Sequence, residues 1–205
     1  MKISFTQLEE ARRNPARFKR QQAKSRGFFN NKNFRAYFFA AMRRFHQGAT
    51  RAQVLKFFRE KSTDNLDQQQ NFNARLNNYL KVLAEYCDNY SLQGCTFVES
   101  RKAVGLALGS HVLSGTFQRF DIRASGGYRG TVTQLNQAIW QQELRWSLMQ
   151  KVVAIDLGCS ILEVEVGTFC LENGLYQYKT FTEVQISDTE KEVLALLGIV
   201  DRTTI

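Results

Sequence analysis

Metal-dependent hydrolysis of a phosphodiester needs hard carboxylate oxygens to hold one or two Mg2+ or Mn2+ ions. It also benefits from a cation near the attacking water and the developing negative charge. The stretch Leu113 to Gln134, LSGTFQRFDIRASGGYRGTVTQ, has the form of two strands joined by a Gly126-Gly127 turn, a frame on which such groups could stand. Its one acid is Asp121. Gln118, Thr131 and Thr133 are neutral, and an amide carbonyl with two hydroxyls carries no charge with which to hold Mg2+ tightly. Lys102 and Arg119 are cations that could point inward. Strand alternation is expected to set Asp121, three residues on, on the face opposite Gln118. The two histidines, His46 and His111, lack partners at ligand spacing and are expected at the surface or at a helix cap.

Several elements must position these groups. A capped helix is expected to open at Ser4 or Thr6, with Glu9 completing a capping box, and to restart at Pro15; Phe5, Leu8 and Phe18 anchor it. Residues 33–48 carry the buried stripe Phe34, Phe38, Ala41, Met42 and Phe45, with Gly48 as the stop. Helices follow over about 50–62, capped by Thr50 with Val54, Leu55, Phe57 and Phe58 inward, and over about 67–89. After Gly94 the texture changes to short β-branched and aromatic runs, which predict strands. A helix is expected at about 135–157, two strands around Glu172-Asn173-Gly174, and a short helix at about 187–197 capped by Ser187 with Glu190 three residues on.

The charge is uneven. Residues 1–61 hold 16 Lys or Arg against 3 acids, and the remainder holds 12 against 16, within a chain of net charge +9. A concentrated cationic end predicts a polyanionic partner, most often nucleic acid; a solvated helix face or a protein-docking surface is the plainer reading. The candidate contacts are Arg12, Arg13, Arg17, Lys19 and Arg20 on the first helices, then Lys24, Arg26, Lys32 and Arg35, then Arg43 and Arg44, with Arg129 beside the hairpin turn. Phe28-Phe29 sits within this basic run, suited either to stacking on bases or to insertion into a partner protein. Four scattered cysteines form no CxxC pair and are expected as reduced core thiols. No apolar run reaches the roughly 20 residues that span a bilayer, and the N-terminus lacks the apolar core of a signal peptide, so a cytosolic protein with no membrane partner is expected.

Taken in order, about residues 3–155 resemble the RecB-like branch of the PD-(D/E)XK nuclease superfamily, which includes CRISPR-associated exonucleases. SFTQLEEARRNPARFKRQ resembles the opening helix, and YFFAAMRRFHQGATRAQVLKFFRE the histidine-bearing helix pair. CTFVESRKAVGLALGSHVLSGTFQRFDI is similar to the first core strands, with Glu99 in the usual acidic position and Gly115 opening Gly-x-x-Asp. YRGTVTQ stands where Asp/Glu-x-Lys-Thr would lie, and QELRW, from Gln142, resembles the QxxxY motif. The resemblance implies an α+β fold: a restriction-endonuclease-like mixed sheet flanked by helices, behind a basic helical subdomain (1–90, with the core at 91–205, one compact unit). It also places the family's histidine at Phe39, its aspartate at Gln118, and its acid and lysine at Thr131 and Thr133, four neutral side chains. The expected protein is therefore an inactive nuclease-fold subunit that uses no cofactor and binds DNA or RNA, or scaffolds a nucleoprotein complex in DNA processing, CRISPR or other antiviral defence. A protein–protein adaptor is the alternative. A nuclease with ligands relocated to Asp121, Glu99 or Glu143, as acids migrate in this superfamily, using Mg2+ or Mn2+, is the third; the resemblance also implies a prokaryotic setting.

Overall fold

The computed structural model describes residues 1–22, 33–135 and 140–203. Lys24, Arg26, Phe28, Phe29 and Lys32 lie outside the described residues.

The elements run β1 (Lys2–Ser4), α1 (Leu8–Arg13), α2 (Pro15–Gln22), α3 (Phe34–His46), α4 (Arg51–Leu66), α5 (Phe72–Leu92), β2 (Thr96–Glu99), β3 (Lys102–Leu108), β4 (His111–Phe117), β5 (Arg119–Ile122) and β6 (Tyr128–Gln134). The chain continues through α6 (Arg145–Leu157), β7 (Val164–Cys170), β8 (Tyr176–Lys179) and α7 (Glu183–Arg202). The main sheet has the order β2-β5-β6-β7-β8 and a smaller one the order β1-β4-β3. β6 and β7 are parallel, so they need a crossover, and α6 supplies it; the other neighbours in the main sheet are antiparallel. This is a mixed-sheet α/β fold flanked by helices, as the sequence predicts.

Two apolar clusters lie on the two faces of the main sheet. Because side chains alternate along a strand, Phe120, Val132, Val164 and Val166 turn to the face covered by α6 and α7, where Trp140, Trp146 and Leu197 pack. Arg119, Asp121, Arg129, Thr131, Thr133, Glu165, Phe169, Tyr176 and Tyr178 have the opposite parity. They face the layer of α3, α4 and α5, where Phe169 joins Phe34, Phe38, Phe58, Leu83 and Tyr86. Arg119, Asp121, Thr131 and Thr133 are therefore on one face, whereas Glu99, paired with Phe120, is on the other.

Several local expectations hold. Thr50 caps α4 in a reciprocal box with Gln53, and Asn33 caps α3 by accepting from the Ala36 N–H. Pro15 opens α2 after Asn14, whose side chain accepts from Arg17 N–H. Gly126 and Gly127 turn the β5–β6 hairpin at φ of 88° and 78°. All four cysteines are free thiols, Cys87 and Cys170 buried.

Others need correcting. The C-terminal helix starts at Glu183, capped by Thr182 with Gln185, so Ser187 lies inside it. The helix predicted from about 135 runs as α6 from Arg145. The capping box at the chain start joins Ser4 to Gln7 rather than Thr6 to Glu9; Glu9 instead accepts from the Leu144 N–H at 2.8 Å, beside the start of α6. The division at residue 90 does not follow the cores. β1 pairs in parallel with β4, and Ile3, Phe5, Leu8 and Phe18 are buried in the cluster under α6 and α7. Among the described residues, no helix is long and apolar enough to cross a membrane.

Candidate functional site

The four neutral positions converge where β4 leaves the small sheet and β5 enters the large one. The strand breaks at Gln118, whose backbone N–H donates to the Thr131 carbonyl and whose Oε1 accepts from the Thr133 N–H at 2.9 Å. Gln118 thereby faces two cavities. One, about 440 Å3, is lined by Ser4, Thr6, Arg35, Gln118, Thr133, Glu143 and Arg145 among others. The second, about 460 Å3, is lined by Phe39, Arg43, His46, Ser100, Arg101, Thr116 and Gln118 among others. Gly115 is needed here for packing: a Cβ on it would come within 2.8 Å of the Phe5 ring, which roofs this corner.

Behind the cavities, Arg119 fills the space between β5, β8 and α5. It is 1% exposed and pairs across the hairpin with Thr131. A guanidinium has five N–H groups, and each contact has an acceptor: Nε to Asp121 (2.7 Å), Nη1 to the Tyr176 (3.0 Å) and Tyr86 (3.4 Å) hydroxyls, Nη2 to Tyr178 (2.8 Å) and Gln93 (3.3 Å). Its carbon lies 4.7 Å from the Tyr90 ring centre and 5.0 Å from that of Tyr176, within cation–π range. Burial pushes the Tyr86, Tyr176 and Tyr178 phenols up, so they stay neutral. Burial also pushes Asp121 up while Arg119 pulls it back, and we read the two as an ion pair because the charged partner is 2.7 Å away.

Each acid that could act as a relocated ligand has a cationic partner. Asp121 is fully buried and held by Arg119, with the Tyr90 hydroxyl on its other oxygen at 3.3 Å. Because the strand breaks at Gln118, alternation cannot be counted through it; Asp121 shares a face with Arg119, Thr131 and Thr133. Glu99 pairs with Lys102 at 3.4 Å. Glu143 lines the first cavity, but its Oε2 accepts from Arg145 Nε and Nη2 (both 2.7 Å) and from the Trp146 indole N–H (2.9 Å). Among the described residues, no three His, Cys, Asp or Glu side chains gather as a metal-binding group. Gln142 is exposed and meets the rest through its carbonyl, which accepts from Arg12.

The histidines divide. His46 lies two turns beyond Phe39 on α3 and lines the second cavity, stacked on Phe97 at 4.4 Å with Nε2 2.5 Å from the Tyr86 hydroxyl. Burial, and then the Arg119 charge, lower its pKa to about 3. His111 is buried far off against Asp201.

The predicted basic contacts also divide. Arg12 pairs with Glu9 and Glu192, and Lys19 donates to the Asp201 and Thr203 carbonyls, so both pin the N-terminal helices to α7. Arg129 is a correction: it is largely buried, bound to Glu165 at 2.8 Å and laid over the Tyr178 ring, as Arg123 is bound to the same carboxylate. Arg44 lies over Phe57 at 4.0 Å. Arg13, Arg17, Arg20 and Arg43 are exposed, with no acid beside them among the described residues. Arg35 lies over Phe39 and donates to the Thr133 carbonyl. Arg101, unremarked in sequence, joins Arg43 at the second cavity with a left-handed backbone (φ 66°). The Arg119 cluster was also missed. Its signal was the Arg-x-Asp at 119–121, the Tyr-x-Tyr at 176–178 and tyrosines four apart at 86 and 90.

No family model matches the chain, and no curated protein matches it. Among solved structures it is similar to a crystal structure of a proposed exonuclease from Eubacterium rectale, with a TM-score of 0.59 and 7% identity, over 98% of this chain and 80% of that one. At that identity the likeness is one of fold, which is nuclease-like.

Proposed function

We propose that this chain is a non-cleaving member of the RecB-like branch of the nuclease fold that binds nucleic acid, alone or as a subunit of a nucleoprotein complex in DNA processing or defence. The observation that carries the reading is the chemistry of the Gln118 corner. Where cleavage needs converging carboxylates, the cavities present Gln118, Thr133 and Phe39, and a permanent guanidinium, Arg119, occupies the space behind Thr131. Among the described residues, four arginines line the two cavities, against one carboxylate that Arg145 already holds. Such a groove repels a bare divalent cation and attracts a phosphate backbone.

Lys and Arg that neutralise phosphates release condensed counterions, so affinity falls steeply as salt rises. The test is fluorescence anisotropy of labelled single- and double-stranded DNA and RNA in EDTA across a salt series, with Mg2+ and Mn2+ reactions run on denaturing gels. Salt-dependent binding with intact strands supports the reading. Absence of binding at low salt returns the chain to the adaptor class, and metal-dependent shortening of the strands makes it a nuclease.

A further inference from the structure

The cavity beside Thr133 holds two buried polar atoms that no described group satisfies, Arg35 Nε and Thr133 Oγ1. They are neighbours, since Arg35 Nη2 donates to the Thr133 carbonyl at 2.9 Å. Thr133 is fully buried and lines this cavity, as Arg35 does. A third donor is oriented by elimination. Gln118 gives its Oε1 to the Thr133 N–H, which leaves its amide NH2 for the space that both residues line. Orphaned buried donors are costly and rare in native proteins, and each calls for an explanation.

What would satisfy all three is an acceptor, and the charge balance says which kind. The charged residues described in the lining are Arg35, Arg145 and Glu143; the last two form an ion pair at 2.7 Å, so the Arg35 charge has no counter-charge among the described residues. A cation entering here would meet Arg35, and an apolar group would leave every orphan unpaired. An oxyanion with several oxygens would take Arg35 Nε–H, the Thr133 hydroxyl and the Gln118 amide together, as charge-assisted bonds.

We propose that this cavity binds a phosphate group directly, through Arg35, Thr133 and Gln118, with no divalent ion between protein and phosphate. The inference rests on the nucleic-acid reading and deepens it by naming the seat of one backbone or terminal phosphate. The same chemistry would accept a free phosphate or a nucleotide.

The test is the thermal midpoint of the full chain in EDTA, with inorganic phosphate against chloride at equal ionic strength, beside binding of a single-stranded oligonucleotide with and without a 5′ phosphate. Wild type is expected to gain midpoint with phosphate. Thr133→Val keeps the shape and deletes an unsatisfied hydroxyl, so its phosphate-free midpoint should hold or rise while its phosphate affinity falls about tenfold, the worth of one hydrogen bond to a charged group. Gln118→Glu keeps the acceptor for the Thr133 N–H but replaces the donors with a negative charge, and should abolish the response. A preference for the 5′-phosphorylated strand assigns a terminal phosphate, and equal binding an internal one. The proposal is overturned if wild type shows no phosphate response, or if both variants respond as wild type does. Salt-dependent oligonucleotide binding without a phosphate response sinks the pocket and spares the nucleic-acid reading. A phosphate response lost in both variants, with no oligonucleotide binding, does the reverse.

Discussion

Replacing Asp121 by alanine tests whether that residue is a ligand in waiting or the counter-ion of Arg119. Arg119 donates to five acceptors, of which only Asp121 carries charge, and the pair is shut off from water at 1% and 0% exposure. Removing the carboxylate leaves a guanidinium buried among three phenols and an amide. Breaking a buried ion pair from one side costs about 3–5 kcal/mol, a large share of the roughly 5–15 kcal/mol that holds a domain folded. Asp121→Asn, which keeps an acceptor beside Nε, should cost less. The double variant Arg119→Met with Asp121→Leu should recover much of the loss, because no charge then remains to be desolvated. Urea unfolding followed by tryptophan fluorescence reads all three, since Trp140 and Trp146 are both buried against each other. An Asp121→Ala midpoint within about 0.5 kcal/mol of wild type, the range of an ordinary surface change, would refute the ion-pair account. So would a double variant no more stable than the single one.

Three further outcomes follow from the same geometry. His46 titrates at about 3 in the folded chain against 6.5 unfolded, so the unfolded state binds the extra proton between those values. Stability from this group is complete above pH 6.5 and is lost as pH falls, by about 1.4 kcal/mol per pH unit; thermal midpoints from pH 7 to 4 should show the decline, and His46→Gln should flatten it. Gly167→Ala should destabilise by about 1–3 kcal/mol in the same unfolding assay, because the new Cβ would press on the Gln177 carbonyl and the Tyr178 ring across β7 and β8. Arg43→Ala and Arg101→Ala should each weaken oligonucleotide binding and reduce its salt slope by about one phosphate contact, whereas Arg129→Ala, bound inward to Glu165, should lower stability with no change in slope.

Local chemistry was legible in the sequence, and long-range chemistry was not. The α3 stripe and the Gly126-Gly127 hairpin depend on residues a few positions apart, and both stand where the spacing put them. The start of α7 was misread because Thr182 with Gln185 and Ser187 with Glu190 are equally good boxes. What decides between them is Gln150 on α6, whose amide accepts from and donates to the Phe181 backbone at 2.8 and 2.9 Å. The N-terminal segment was grouped with the basic front by its charge, yet its place is set by three residues of parallel pairing to β4, about 110 positions away. At the candidate site, the identity of the neutral side chains was plain, and so was the doubt they cast on metal binding. The break at Gln118 was not, because nothing in TFQRFDI marks where one sheet hands the strand to another. Beyond that break Asp121 and Arg119, two apart on β5, share a face, and tyrosines from two other elements close around the pair. For the same reason Arg129 reads as a free cation in sequence and is a bound one in the fold.

The proposed function requires that a nuclease-like fold hold nucleic acid without a metal and without cutting it. The most direct measurement is the affinity of the full chain for a labelled oligonucleotide in EDTA between 50 and 200 mM salt, roughly the range over which phosphate contacts are lost. The expected result is binding that needs no divalent ion and weakens steeply across that range, with the strand recovered at full length. Binding that appears only with Mg2+ or Mn2+ and ends in a shortened strand would contradict it.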